Sequence, residues 1–137
     1  MNKNMMTVSL ALALAVTAHA QQEQAQRILR ETGVTGGLVV HVGCGDGKLT
    51  AALRASEAFV VQGLDADVTK ARENIRAAGV YGPVSVAPWS GGALPYADNL
   101  VRLLVIGDAQ KLSRAEIERV LCPGGVAYSL HPASLIP

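Results

Sequence analysis

The sequence predicts an α/β fold in which a mostly parallel, five-stranded sheet carries helices on both faces. Five short apolar runs bounded by glycine, proline or polar residues are typical of strands buried on both sides. Helical segments alternate with these runs, and such alternation favours right-handed crossovers between parallel strands. The length of 137 residues fits one small domain.

The elements before residue 80 follow from apolar runs and from the residues that stop them. Gly33 and Gly79 end two predicted helices. A third helix is predicted because Leu49 and Leu53 lie on one of its sides. The predicted order is helix Glu23–Glu31, strand Leu38–Val42, helix Lys48–Ala55, strand Phe59–Leu64 and helix Val68–Ala78.

Proline and glycine divide the rest of the chain. The stretch from Pro88 to Asn99 has two prolines and two glycines, which predicts a loop. Ser113 and Glu116 have the spacing of a capping box, which opens a helix, and Pro123-Gly124-Gly125 breaks the chain after it. The predicted order is strand Val84–Ala87, strand Leu100–Ile106, helix Ser113–Leu121 and strand Val126–Leu130.

Composition and charge narrow the function classes. Half of the residues are hydrophobic and 17% are charged, so the chain is globular rather than disordered. Twelve basic residues against 11 acidic ones give a net charge of +1. That balance gives no indication of nucleic-acid binding.

The first 20 residues have the three-part layout of a signal peptide. Lys3 precedes an apolar run from Met5 to Val16, and Ala18-His19-Ala20 is a small-x-small cleavage site. A membrane anchor is the alternative, but a span needs about 20 apolar residues. We therefore expect a signal peptide over residues 1–20, export to the periplasm or the medium, no membrane span after cleavage, and a mature domain over residues 21–137.

The two cysteines are expected to remain unpaired. Cys44 follows the first predicted strand and Cys122 precedes the fifth, at opposite edges of the sheet. A disulfide needs Cα atoms closer than about 7 Å. Two mostly buried thiols are therefore expected.

The residues that point to a ligand follow the first two strands. Gly43-Cys44-Gly45-Asp46-Gly47 opens directly into a helix, and glycines there allow a sharp turn and close approach of a ligand. The amino end of that helix adds unpaired N–H groups. Asp65 ends the next strand, where a carboxylate can accept hydrogen bonds from both hydroxyls of a ribose. The alternative reading has glycines that only turn the chain and an Asp65 that caps a helix; Asp67 is expected to be the cap before Val68.

Glycine spacing separates two classes of nucleotide. A nicotinamide or flavin dinucleotide is expected with G-x-G-x-x-G. Here Gly47 comes one position early, which disfavours that ligand.

Four segments in order resemble the class I S-adenosylmethionine-dependent methyltransferases. They are Val39–Gly47, Gly63-Leu64-Asp65, Leu94–Asn99 and Arg119–Gly125. The resemblance covers about Gly33 to Leu130 and implies a Rossmann-like sheet of order 3-2-1-4-5 with S-adenosylmethionine as cofactor. Members commonly continue into two further strands, which this sequence lacks. The sequence is also similar to methyltransferase-like domains of large secreted proteins.

The sequence departs from the family at two positions beside the ligand. His41 stands where members usually have an acid that holds the ligand's ammonium group. An imidazole with an ordinary pKa of about 6.5 would become cationic and repel that group at lower pH. Trp89 and Ser90 stand near the usual adenine site, where Trp89 either stacks on the base or covers the end of the sheet. The residues expected to bind the cofactor are His41, Gly43, Cys44, Gly45, Gly47, Asp65, Ala66, Trp89 and Ser90.

Three functions remain open at this point. The first is methyl transfer to an unknown acceptor, which Asp65 and the glycine loop favour. The second is a non-catalytic binding or structural module of a secreted assembly, which export favours because S-adenosylmethionine is made in the cytosol. The third, a nicotinamide-dependent domain, is disfavoured by the glycine spacing. No residue stands out as a general base, and a metal site from His41, Asp108 and His131 is set aside as a chance grouping of strand-end residues.

Overall fold

The computed structural model describes residues 19–107 and 112–131. Nearly all of the predicted signal peptide therefore lies outside the described residues. The helices are residues 19–32 (α1), Lys48–Ala52 (α2), Thr69–Ala77 (α3) and Arg114–Val120 (α4). The strands are Gly37–Val42 (β1), Phe59–Asp65 (β2), Val84–Pro88 (β3), Val101–Ile106 (β4) and Leu121–Ser129 (β5).

The strands form one parallel sheet in the order β3-β2-β1-β4-β5, as predicted. Successive side chains of a strand point to opposite faces, so an apolar strand supplies two cores. Val39 and Val61 lie in a core cluster with residues of α1, α2 and α3. Val40 and Leu64 lie in a second cluster, against which α4 packs. The helices therefore lie on both faces, and the reading of the strands as buried on both sides is confirmed.

Most boundaries lie within one residue of the prediction; the larger differences are at the start of α1, which is already helical at residue 19, at the end of α2 and at the start of β5. α2 ends at Ala52, with Leu53 as its C-cap, so it is shorter than predicted. β5 begins at Leu121, and Pro123-Gly124-Gly125 lies inside the strand instead of before it. Leu121 pairs with Val101 of β4, and Val126 pairs with Leu103. The five-residue interval in β5 therefore lies opposite a two-residue interval in β4, and the extra residues form a bulge. A bulge of this kind bends a strand without ending it.

Both cysteines are unpaired, as expected: Cys44 is buried and Cys122 is half-buried within β5. Among the described residues, no helix is long and apolar enough to span a membrane.

The capping box of α4 is only half formed. The Ser113 hydroxyl accepts the Glu116 N–H at 3.2 Å, as predicted. The Glu116 carboxylate does not complete the box. It accepts the Leu94 N–H at 2.7 Å and the guanidinium of Arg119 at 2.7 and 2.9 Å.

Arg119 fastens the loop before β4 to α4. Its guanidinium donates to the carbonyl oxygens of Tyr96 at 2.8 Å and Leu94 at 3.0 Å, and to the Asp98 carboxylate at 2.8 Å. Hydrogen bonding from Arg119 lowers the pKa of Glu116 to about 2. The planar fork of an arginine suits this set of acceptors in a way that a lysine ammonium does not. The two segments singled out around Leu94 and Arg119 are thus one structural unit.

Replacing Arg119 by lysine tests this unit. We expect Arg119→Lys to lower the melting temperature and to speed proteolysis within residues 94–98, because one ammonium cannot replace five directed hydrogen bonds. Arg114→Lys is the matched control, since Arg114 makes a single exposed pair with Glu118 and such pairs contribute little. Equal melting temperatures for the two variants would contradict the role given to Arg119.

Candidate cofactor site

The loop after β1 makes the sharp turn that the sequence predicts. Gly43, Gly45 and Gly47 have φ values of 78°, 57° and 76°. These left-handed conformations are accessible to glycine without the strain that a Cβ would introduce. The loop thus reaches the carboxyl edge of the sheet, where ligands of open α/β sheets bind.

Asp65 joins this loop to the end of β2. Its carboxylate accepts the Gly45 N–H at 3.0 Å and the Ala66 N–H at 2.7 Å. Its backbone carbonyl accepts the Trp89 N–H at 2.8 Å, which joins the end of β3 to the same point. Each carboxylate oxygen keeps acceptor capacity for a further donor. The ribose contact predicted for Asp65 stays a prediction, and sequence reasoning missed the role of Asp65 as an anchor of the glycine loop.

Asp67 lies one position before the N-cap residue, which is Val68, so the prediction of Asp67 as the N-cap is wrong. Its carboxylate accepts the Thr69 N–H at 3.0 Å, while Val68 is the residue that directly precedes α3. Asp65 and Asp67 therefore have different roles despite their proximity.

Two glycines allow the loop to pack closely. A Cβ at Gly47 would lie 3.0 Å from backbone and side-chain atoms of Ala71 in α3. A Cβ at Gly63 would lie 2.9 Å from the Cβ of Cys44. The Cys44 side chain thus packs inward against β2, and burial raises the pKa of its thiol to about 12. Cys44 contributes its backbone to the loop and a protonated thiol to the core.

His41 lies on β1 with its ring turned toward α2. The residue is 3% exposed, and Nδ1 of its ring lies 2.9 Å from the hydroxyl oxygen of Thr50. Its Nε2 is buried and has no hydrogen-bond partner among the described residues. Burial lowers the pKa of His41 to about 4, against the opposing influence of the Asp65 and Asp46 carboxylates. The expected titration near the ordinary value is therefore wrong, and the ring is neutral at physiological pH.

Gly107 completes this part of the site, and sequence reasoning did not include it. Its N–H donates to the Val42 carbonyl at 2.8 Å, which sets the end of β4 beside the glycine loop. A Cβ at Gly107 would lie 3.0 Å from the Gly43 carbonyl oxygen and 3.5 Å from Nε2 of His41. The missing side chain thus lets the end of β4 lie close against the Gly43 carbonyl and the buried Nε2 of His41. A glycine directly after the fourth strand was the signal available in the sequence.

Trp89 and Ser90 begin the loop after β3. The indole N–H donates to the Ala93 carbonyl at 3.2 Å, and the half-buried ring packs against the core cluster that contains Leu94. The ring therefore covers the end of the sheet, which was one of its two predicted roles; stacking on adenine stays a prediction. Ser90 and Ala66 are exposed at the same edge.

Asp108, one member of the metal site that the sequence analysis set aside, lies outside the described residues. Among the residues that are described, no three histidine, cysteine or acidic side chains are grouped as a metal ion would require.

Solved structures share this fold. A protein from Methanococcus maripaludis assigned as an S-adenosylmethionine-dependent methyltransferase is 26% identical, with a TM-score of 0.72 over 93% of this chain and 60% of its own. A methyltransferase of the same kind from Aquifex aeolicus is 23% identical, with a TM-score of 0.63 over 72% of this chain and 58% of its own. Geranyl diphosphate C-methyltransferase from Streptomyces coelicolor is 17% identical, with a TM-score of 0.68 over 78% of this chain and 44% of its own.

These similarities show that the chain has the class I methyltransferase fold. No protein-family model and no curated protein matches the sequence. The chain spans 60% of the methanococcal protein and less of the other two.

The buried His41 ring gives the fold a defined pH dependence. In the unfolded chain His41 binds a proton at a pKa of about 6.5, whereas in the folded chain its pKa is lowered to about 4. The contribution of the neutral His41 ring to the free energy of unfolding is therefore fully present above pH 6.5 and is lost as the pH falls toward 4. We expect a loss of about 3 kcal/mol in unfolding free energy over that interval.

His41→Asn isolates this contribution, because an amide can keep a hydrogen bond to Thr50 but does not titrate. Denaturant unfolding at pH 7 and pH 4.5 measures the difference. A wild-type chain and a His41→Asn chain that lose equal stability on acidification would show that His41 is not the titrating group.

Proposed function

We propose that the chain binds S-adenosylmethionine at the loop from Gly43 to Gly47 and transfers its methyl group to an acceptor. The observation that carries the proposal is the link between the three left-handed glycines and the Asp65 carboxylate at the end of the neighbouring strand. Bound there, S-adenosylmethionine would supply an electrophilic methyl group on its sulfonium. The fold shared with methyltransferases supports the same assignment.

The residues of the site fit the two polar ends of this ligand. Asp65 retains acceptor capacity for the ribose hydroxyls beside the N–H of Ala66. The Gly43 carbonyl beside Gly107 would accept the ammonium group. Nε2 of His41 lies next to it but is buried, so His41 would contribute by lining the site without a charge. Because His41 is neutral, it gives the ammonium group neither attraction nor repulsion, so we expect the affinity to be modest and to stay flat between about pH 5.5 and 7.5.

The acceptor would be positioned rather than activated by this chain. The Cys44 thiol is protonated and buried, so it does not act as a base or a nucleophile. Holding the acceptor in line with a reactive methyl group accounts for much of the catalysis in such a reaction. If the chain binds S-adenosylmethionine but transfers its methyl group to no acceptor, it is a non-catalytic module, the alternative that the predicted export favours.

Asp65→Ala tests the site. Calorimetric titration with S-adenosylhomocysteine should show a loss of about 1.5–3 kcal/mol, as expected when a hydrogen bond to a charged group is removed. Asp67→Ala is the matched control, because that carboxylate caps α3 and should leave affinity unchanged. Titration of the wild-type chain with NAD should give no heat of binding.

Asp65 also anchors Gly45, so a ligand lacking one hydroxyl separates contact from anchoring. The 2′-deoxyribose analogue of S-adenosylhomocysteine should bind the wild-type chain more weakly than the parent ligand does. Asp65→Ala should bind both ligands equally. A persisting difference in the variant would remove Asp65 from the ribose contact.

We also propose that the chain is exported and cleaved after Ala20. The positive start, the apolar run and the small residues around the cleavage site support this proposal. Mass spectrometry of the exported form should identify Gln21 as the first residue. Ala20→Leu should prevent cleavage because the site requires a small residue. An intact Met1 on protein recovered from the cytosol would contradict export.

A further inference from the structure

A cavity of about 410 Å³ lies between the first turn of α1, helix α2 and helix α3. Its volume is within the range of about 300–1,000 Å³ that is usual for small-molecule sites. None of Asp65, Ala66, Trp89 and Gly107 lines it. The cavity is therefore separate from the proposed cofactor site at the carboxyl edge of the sheet.

One wall of the cavity is apolar. Ala51 and Ala52 of α2, together with Val80 before β3, pack against the core beneath the helices but stay half-exposed. Ala78, the C-cap of α3, adds an exposed methyl group. An apolar group bound here would cover these side chains and remove their surface from water, which is favourable.

The polar lining of the cavity is cationic. Lys48 and Arg54 both line it, and no acidic side chain among the described residues does. Nε of Arg54 donates to the Phe59 carbonyl at 3.2 Å, which holds the guanidinium in place and leaves its other N–H groups for a further acceptor. Neither Lys48 nor Arg54 forms an ion pair with a described residue. Both positive charges therefore lack a counter-charge in this part of the chain.

The amino-terminal part of the chain offers no counter-charge to these two cations. Gln21 and Gln22 form the wall on the α1 side. Residues 1–18, which come before that wall in the sequence, contain neither aspartate nor glutamate. An anion from outside the chain is therefore the occupant whose charge complements the cavity.

We propose that this cavity binds a small organic anion, with its carboxylate on Lys48 and Arg54 and its apolar body on Ala51, Ala52 and Val80. The forked donors of an arginine match the two oxygens of a carboxylate. The apolar wall favours such an anion over inorganic phosphate, which has no apolar surface to bury. Binding here is independent of the proposed methyl transfer.

Nuclear magnetic resonance titration of the full chain, without any nucleotide, tests the site with 2-naphthoate as the probe. We expect the amide signals of Ala51, Ala52 and Val80 to shift, while that of Ala66 at the cofactor site stays in place. The neutral 2-naphthamide and inorganic phosphate should each bind about fivefold more weakly, because the first lacks the charge and the second lacks the apolar body.

Lys48→Glu and Lys70→Glu form a matched pair of variants. Both lysines are exposed and lie in the first turn of a helix, where an acid suits the helix dipole, so neither change should disturb the fold. Lys48→Glu should weaken 2-naphthoate binding about tenfold, because an attraction becomes a repulsion. Lys70→Glu should leave the affinity unchanged, since Lys70 does not line the cavity.

Three results would overturn the proposal. Unshifted signals at the cavity on addition of 2-naphthoate would show that it does not bind there. Equal affinity for 2-naphthamide, or equal affinity of Lys48→Glu and the wild-type chain for 2-naphthoate, would show that the cations do not select an anion. A chain that binds 2-naphthoate but not S-adenosylhomocysteine would keep this site and lose the proposed function, so the two failures are distinguishable.

Discussion

The site depends on the carboxylate of Asp65 and on the two backbone N–H groups that it accepts. Through Gly45 it holds the loop after β1, and through Ala66 it fixes the start of the segment after β2. Its own carbonyl accepts the N–H of Trp89 at the end of β3. Three adjacent strand ends therefore meet at one residue. The same carboxylate keeps open acceptor positions, so the proposed ribose contact would be a second use of a side chain that already anchors the loop.

His41 shows how a departure from a family pattern is accommodated by the fold. A carboxylate at this position would be buried beside α2, where an unpaired charge is costly. An imidazole keeps one hydrogen bond to Thr50 and stays neutral, because burial lowers its pKa to about 4. Its remaining nitrogen is left without a protein partner next to the bare Cα of Gly107. A neutral ring thus occupies this position without leaving an uncompensated charge in the core.

Much of the fold could be predicted from the sequence because the strands are apolar on both faces and the glycines lie where the chain turns. The strand order and both helical layers followed from that pattern and from the resemblance. The end of α2 and the start of β5 could not be predicted, since each depends on a neighbour. Pro123-Gly124-Gly125 usually ends a strand, but Leu121 before it and Val126 after it both pair with β4, which keeps it within one.

The turn at Gly43, Gly45 and Gly47 and the place of Asp65 at the end of β2 were predictable, because backbone geometry decides them. The site was not predictable where three-dimensional packing decides. The direction of the His41 ring, the inward side chain of Cys44 and the space at Gly107 depend on contacts with α2, β2 and β4 that no local pattern encodes. The second half of the capping box was predicted but is not formed, for the same reason: the Glu116 carboxylate binds Arg119 instead.

Nuclear magnetic resonance titration tests the central claim most directly, because it reports where the ligand binds. The backbone amide signals of Gly45, Ala66 and Gly107 should shift as S-adenosylhomocysteine is added, and they should not shift with NAD at the same concentration. Unchanged signals at these three residues, or equal shifts with both nucleotides, would contradict the assignment of this edge of the sheet as an S-adenosylmethionine site.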